Sequence, residues 1–285
     1  MMLDLLAGPF VEFAFMRRAL VAVVALALGA APLGVLLTLR RLSLVGDALS
    51  HAVLPGVALG FLFFGLSLTA LSIGGVLAGM LVVGAAALVS RHTRIAEDAS
   101  LAALYLVALA LGVMLISLQG SQIDLLHILF GNVLGVDRDG LLLVASVASA
   151  TLLLLALMYR GLLLESFDPA FLAAARGNRT WFQQLFLMLV VVNLVAAFQT
   201  LGTLMAVGLM MLPAISARLW HHSLPAQLVH AACQAMLAGV AGLLLSYYAA
   251  LPSGPAIIVC AGLLYGGSLL LSPRGVLAAL RRART

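Results

Sequence analysis

The sequence predicts an all-α fold, a polytopic membrane bundle of about nine transmembrane helices. Two observations carry this expectation. Of the 285 residues, 64% are hydrophobic and only 9% are charged, whereas a soluble domain carries about 25% charged residues; mean hydropathy is +1.21. Apolar runs of about 20 residues, the length that crosses hydrocarbon, recur along the whole chain with short polar breaks between them. No soluble fold hides this much apolar surface, so the chain reads as one membrane domain.

Reading the apolar runs against Gly, Pro and charged breaks places spans at 19–39, 45–66, 68–90, 98–118, 140–159, 181–199, 201–219, 226–249 and 255–271. The stretch 119–139 is apolar over 125–136 but too short to cross, and Gly131 and Gly135 punctuate it. It is expected to form a short re-entrant or interfacial helix pair. Residues 1–18 place Phe10, Phe13 and Phe15 among Asp4, Glu12, Arg17 and Arg18, the pattern of an amphipathic helix lying on the outer membrane interface. The transmembrane domain then covers 19–271, and 272–285 form a basic cytoplasmic tail. No charged segment followed by a short apolar stretch and a small-residue cleavage site opens the chain, so no removable signal peptide is expected.

The basic residues fix the orientation. All are arginines, and arginines near span ends are retained on the cytoplasmic side. With residue 40 inside, only Arg17, Arg18 and Arg138 lie outside; the opposite orientation reverses the split. The expected topology is therefore N-terminus outside, C-terminus cytoplasmic. A sequence pI near 9.9 invites a nucleic-acid reading, but the arginines sit at helix ends and form no stripe. Lipid headgroups account for them, and no nucleic-acid partner is expected. Cys233 and Cys260 lie inside apolar runs without C-x-x-C spacing, so they read as small core residues and not as a disulfide or a thiolate site.

Nine of the ten acidic residues fall in loops or flanks; Asp47, a few residues into the second span, is the exception. A carboxylate at membrane depth costs at least ~2.5 kcal/mol, faces a bundle interior or a water cavity, and marks an ion pathway. His51 follows at i+4, so both side chains leave one helix face a turn apart. Carboxylate oxygen plus imidazole nitrogen suits borderline or moderately hard divalent metals such as zinc or manganese. The plainer alternative is that the two groups hydrogen-bond each other or the backbone, or that Asp47 is wetted at the bundle edge. Gly46, Ala48, Ser50, Ala52 and Gly56 would let another helix approach closely, and Pro55 would free a backbone carbonyl.

The other polar residues have weaker standing. Asp124 and His127, three apart in the outer segment, are secondary candidates for catching an incoming metal. His221 and His222 follow Trp220 at a helix end where aromatic and polar anchors are expected; His92 shares a loop with Arg91 and Arg94, and His230 lies early in a span. None has a partner at ligand spacing. Met205, Met210 and Met211 read as packing, or as a narrow apolar gate. The inner loop 160–180 places Asp168 and Pro169 in the first turn of a short amphipathic helix, about 165–177, that ends at Gly177. It is either an interfacial connector or a docking lever for a soluble partner. No G-x-x-x-x-G-K-[ST] loop is present, so this chain binds no ATP through such a motif and any ATP-driven motor is another polypeptide.

The block S-L-V-G-D-A-L-S-H-A-V-L-P-G-V-A-L-G (43–60) resembles the signature of the zinc/manganese/iron-chelate permease family of ATP-binding-cassette importers. L-F-G-N-V-L-G-V (129–136), F-D-P-A-F (167–171), Q-T-L-G-T-L-M-A-V-G-L-M-M-L-P-A-I-S-A-R (199–218) and L-P-S-G-P-A-I-I-V (251–259) resemble further blocks of that family in the same order. The resemblance implies a type II importer-like permease of the bacterial inner membrane that works as a homodimer. Two cytoplasmic ATPase subunits would sit below it, and an extracytoplasmic metal-binding protein would deliver Zn2+ or Mn2+. It also implies Asp47 and His51 as metal ligands on the path, two of each in a dimer. Phe167, Asp168, Pro169, Phe171 and Gly177 would mark the ATPase-coupling segment.

Alternating access would move the site from outer to inner exposure, and uptake would weaken in acid as protons compete for the ligands. Three alternatives stay open at this stage. A permease for a siderophore, haem or cobalamin chelate should lack a charged pinch point. A proton-coupled secondary transporter would use the pair as a relay, and an intramembrane enzyme would need a second catalytic constellation.

Overall fold

The computed structural model describes residues 2–40, 42–65, 67–118, 133–167 and 180–282. It consists of helices: α1 (Met2–Glu12), α2 (Ala14–Leu39), α3 (Val45–Ala52), α4 (Leu54–Phe64), α5 (Leu68–His92), α6 (Glu97–Leu118), a 3-10 turn (Val133–Gly135), α7 (Arg138–Phe167), α8 (Thr180–Leu201), α9 (Thr203–Trp220), α10 (Leu224–Ala249), α11 (Ser253–Leu271) and α12 (Val276–Arg282). Among the described residues, nine helical stretches are long and apolar enough to cross a membrane, with α3 and α4 together supplying the second. A helix satisfies its own backbone polar groups, which lipid cannot do, so this is the structure that apolar runs of such length adopt.

The ends differ from the sequence expectation for physical reasons. The chain breaks at Phe13, which is extended at φ −110° and ψ 121°, so residues 14–18 form the first turns of α2 and do not continue α1. Helix α7 runs to Phe167, beyond the expected end near 159. Arg160 ends the apolar run, but arginine is a good helix former and the helix continues past it.

Helix α2 is the axis of the bundle. It packs against α7, α9 and α10, and its side chains from Ala30 to Thr38 are all buried. On one flank α9, α10 and α11 pack together; on the other α4, α5 and α6 do, with α3 wedged against α6 and α8. Helix α8 joins the halves through contacts with α5, α7 and α9. Leu77, Leu81, Leu88, Val107 and Leu153 remain exposed, as lipid-facing side chains do.

Close approach depends on small residues. At the α4–α5 crossing Gly56 and Gly74 face each other backbone to backbone, and a Cβ on either would overlap the other's carbonyl oxygen. Short polar links join helices among the described residues: Asn193 Nδ2 donates to Thr151 Oγ1 at 2.6 Å, Ser216 Oγ donates to Ser268 Oγ at 2.6 Å, and Ser72 Oγ donates to Gln199 Oε1 at 2.8 Å.

The two cysteines correct the sequence reading. Cys233 is exposed and Cys260 half-buried, both free, so neither belongs to the core. An apolar run does not distinguish its lipid side from its packed side, and a thiol is tolerated on both.

Candidate metal path

The second span is broken. Pro55 has no N–H, so it donates nothing to the carbonyl of His51 four residues earlier, and its ring crowds that carbonyl. The chain answers by ending α3 at Ala52 and restarting at Leu54, with the N–H of Val53 turned to the His51 carbonyl. The result is an eight-residue helix, α3, joined to α4 through Val53, which itself keeps α-helical dihedrals at φ −78° and ψ −18°. Val45, Gly46, Ala48, Leu49, Ser50 and Ala52 are buried. Asp47 and His51 lie on the remaining face, their side chains 61% and 30% exposed.

Asp47 Oδ1 and His51 Nε2 stand 3.9 Å apart. That is too long for a hydrogen bond though within ion-pair distance, and Asp47, 61% exposed, is open at the bundle edge as the plainer alternative expects. The separation is just inside the roughly 4.2 Å that two metal bonds of about 2.1 Å can span. Asp47 also lies in the first turn of α3, where the helix dipole favours a carboxylate.

Two neighbours frame the pair. The His51 ring stacks on Tyr105 of α6, with centroids 6.3 Å apart and planes inclined 26°. On the buried side Gly46 is pressed against α9: a Cβ there would lie 2.6 Å from the Met210 methyl and 2.9 Å from that of Met211. Met205 and Met210 are fully buried and Met211 nearly so, which makes them packing residues; Met210 and Met211 back α3. Tyr105 is 54 positions from His51 and shares no motif with it, so sequence spacing does not reveal it.

Among the described residues no group of three or more His, Cys, Asp and Glu side chains could hold a metal ion. Among the described residues, no third such side chain therefore joins Asp47 and His51. Asp124 and His127 lie outside the described residues, as do Asp168, Pro169, Phe171 and Gly177; Phe167 is the last residue of α7. His92 is exposed with Nδ1 2.9 Å from the Leu88 carbonyl. His221 and His230, which have no partner in sequence spacing, are brought together by the fold, with His221 Nε2 3.2 Å from His230 Nδ1.

Comparison with known proteins agrees with this architecture. Manganese transport system membrane protein MntC of Halalkalibacterium halodurans is 34% identical over 275 residues, covering 96% of this chain and 93% of MntC. Manganese import system permease protein ScaB of Streptococcus parasanguinis is 34% identical over 264 residues, 92% of each chain. The solved structure of PsaBC from Streptococcus pneumoniae in complex with Fab matches with a TM-score of 0.85 at 31% identity, covering 99% of this chain and 100% of that one. A structure described as an inward-facing metal-chelate type ABC transporter matches with a TM-score of 0.67 at 20% identity, over 91% of this chain and 89% of that one, a likeness of fold alone. The model of the ABC 3 transport family matches residues 12–272, and this multi-pass membrane protein belongs to that family.

Proposed function

We propose that this chain is the membrane-spanning permease of an ATP-driven importer of a divalent transition metal, manganese or zinc, and that Asp47 and His51 are its cargo ligands. The observation that carries the assignment is the pair itself: on a short helix otherwise buried, the two exposed side chains are an oxygen and a nitrogen donor held at metal-spanning distance. The names of MntC and ScaB, both manganese transport proteins, support the same cargo. An oxygen–nitrogen set accepts manganese and zinc alike, so the pair selects divalent transition metal as a class.

Two ligands are fewer than a largely dehydrated ion takes. A second copy of the chain facing the first across α3 would supply two more, which is the physical case for a homodimeric permease. ATP hydrolysis belongs to two separate cytoplasmic subunits, and cargo arrives from an extracytoplasmic metal-binding protein. The segment 168–177 is the proposed contact with the ATPase. Alternating access then needs a movable site; the helix boundary at Val53–Pro55 and the flexible methionine side chains beneath Gly46 are the places where α3 would give. Binding must stay modest, because an ion held too tightly does not leave.

Uptake of radioactive manganese and zinc by proteoliposomes holding the permease and its ATPase tests the assignment. Asp47→Ala with His51→Ala should abolish uptake while leaving ATPase assembly intact. Uptake at the wild-type rate would remove both residues from the path.

A further inference from the structure

We propose that the α9–α10 corner carries a second metal-binding site, separate from Asp47 and His51, built from His221 and His230 and suited to zinc. His221 caps the C-terminal end of α9 and His230 lies in the second turn of α10; both are half-buried. Their facing nitrogens, His221 Nε2 and His230 Nδ1, are 3.2 Å apart, with ring centroids at 5.0 Å and planes inclined 65°.

Two imidazoles bound at about 2.05 Å to one tetrahedral zinc place their nitrogens about 3.3 Å apart and their ring centroids about 5.2 Å apart. A straight N–H···N hydrogen bond of the observed length would put the centroids about 5.5 Å apart. The observed 5.0 Å is shorter than a collinear arrangement gives, so the rings depart from a straight hydrogen bond, and the nitrogen separation is one that two ligands of a single ion can adopt.

The surroundings fit ligation. Gln234, one turn along α10, neighbours His230. It is 6% exposed, and its Oε1 is buried without a hydrogen-bond partner. Its amide is a polar group beside His230 that is available to hold the ring, as the outer partners of metal-bound histidines do. Trp220 stacks on His230 with centroids 6.2 Å apart. Backbone contacts hold the corner in place: Gln227 Nε2 donates to the His221 carbonyl at 3.0 Å, and Arg274 Nη1 donates to the Arg218 carbonyl at 2.9 Å. The C-terminal end of a helix is also the end that favours a cation. Two imidazoles suit zinc, copper or nickel above manganese, so this site and the oxygen-containing pair on α3 differ in preference. His222 and Ser223, next along the chain, are exposed, so water is available to complete the shell of an ion held by the two imidazoles.

The test uses the full chain purified in detergent, in the Asp47→Asn/His51→Gln background so that the proposed path cannot contribute. Titration with zinc chloride by calorimetry should give one zinc per chain. Adding His221→Gln/His230→Gln should weaken binding at least tenfold, while His222→Gln leaves it unchanged. Copper(II) gives an independent readout: with Trp181→Phe, Trp220 is the remaining indole, and its fluorescence should be quenched by stoichiometric copper only when both histidines are present. Gel filtration and circular dichroism verify that each variant is folded, and single His230→Gln serves if the double variant is not. Zinc binding that survives loss of both histidines overturns the proposal. So does absence of zinc binding once Asp47 and His51 are removed, an outcome that leaves the transport assignment standing.

Discussion

Replacing Gly56 with alanine should destabilise the permease, against the usual trend for glycine in a helix. At this position an added Cβ would overlap the carbonyl oxygen of Gly74 and stand 2.6 Å from Ala78 Cβ. A facing backbone carbonyl cannot rotate aside without breaking its own helix, so α4 and α5 must separate. Overpacking of this kind costs ~1–3 kcal/mol, against a gain in helix propensity of at most ~1 kcal/mol. Gly262, inside α11, supplies the control, because nothing lies within 4 Å of a Cβ built there; Gly262→Ala should be neutral or stabilising by up to ~1 kcal/mol. Unfolding of both proteins in mixed micelles, titrated with dodecyl sulfate and followed by circular dichroism, compares them directly. The expected order is Gly262→Ala above wild type above Gly56→Ala. A Gly56→Ala protein at least as stable as Gly262→Ala would refute the close crossing of α4 and α5, and with it the anchoring of the site helix that α4 continues.

Other substitutions probe the site and its support. Pro55→Ala returns a donor for the His51 carbonyl and should join α3 to α4 in one continuous helix; the reasoning expects unchanged or greater stability with slower metal uptake in proteoliposomes, and fails if uptake is unaffected. Tyr105→Ala removes the ring against His51 and should weaken manganese binding several-fold by calorimetry, whereas Tyr105→Phe, which keeps the stacking face, should stay close to wild type. Asn193→Ala leaves Thr151 Oγ1 without its α8 donor and should cost ~1 kcal/mol in the same micelle titration, in line with hydrogen bonds between membrane helices.

Much of the bundle is legible in the sequence because one property, apolar length, dictates it: a run of about 20 apolar residues has few stable alternatives in lipid. The freed carbonyl in the second span is legible too, since Pro55 lacks the N–H that would reach His51, although the apolar pattern alone runs that span unbroken from 45 to 66. Pairing within one helix is equally plain, as Asp47 and His51 are a turn apart by arithmetic. Contacts between helices are not. The approach of Tyr105 to His51 and of His221 to His230 depends on helix rotation and on the turn at 221–223, which spacing does not encode. The misplacement of Cys233 and Cys260 in the core has the same origin. Several helices here carry apolar residues on every face, and the buried side is then chosen by small residues that permit close packing rather than by polarity.

This difference explains why the site sits where it does. A carboxylate in a membrane span is tolerated only where water or a cation reaches it, and α3 meets that requirement by burying its small and aliphatic side chains while leaving two polar ones accessible. Its buried side rests on the methyl ends of Met210 and Met211, the most easily displaced contacts a core can offer. At its far end Pro55 removes the N–H that would bond the His51 carbonyl. Helix α9, which carries those methionines, is held at its other end by Arg218 Nη1, which donates to the Thr38 carbonyl at 3.0 Å, and by the histidine corner. On the proposed mechanism, firm support at that corner and soft contact at the methionines would allow α3 to shift against α9, so that moving the proposed ligand pair need not unpack the bundle axis.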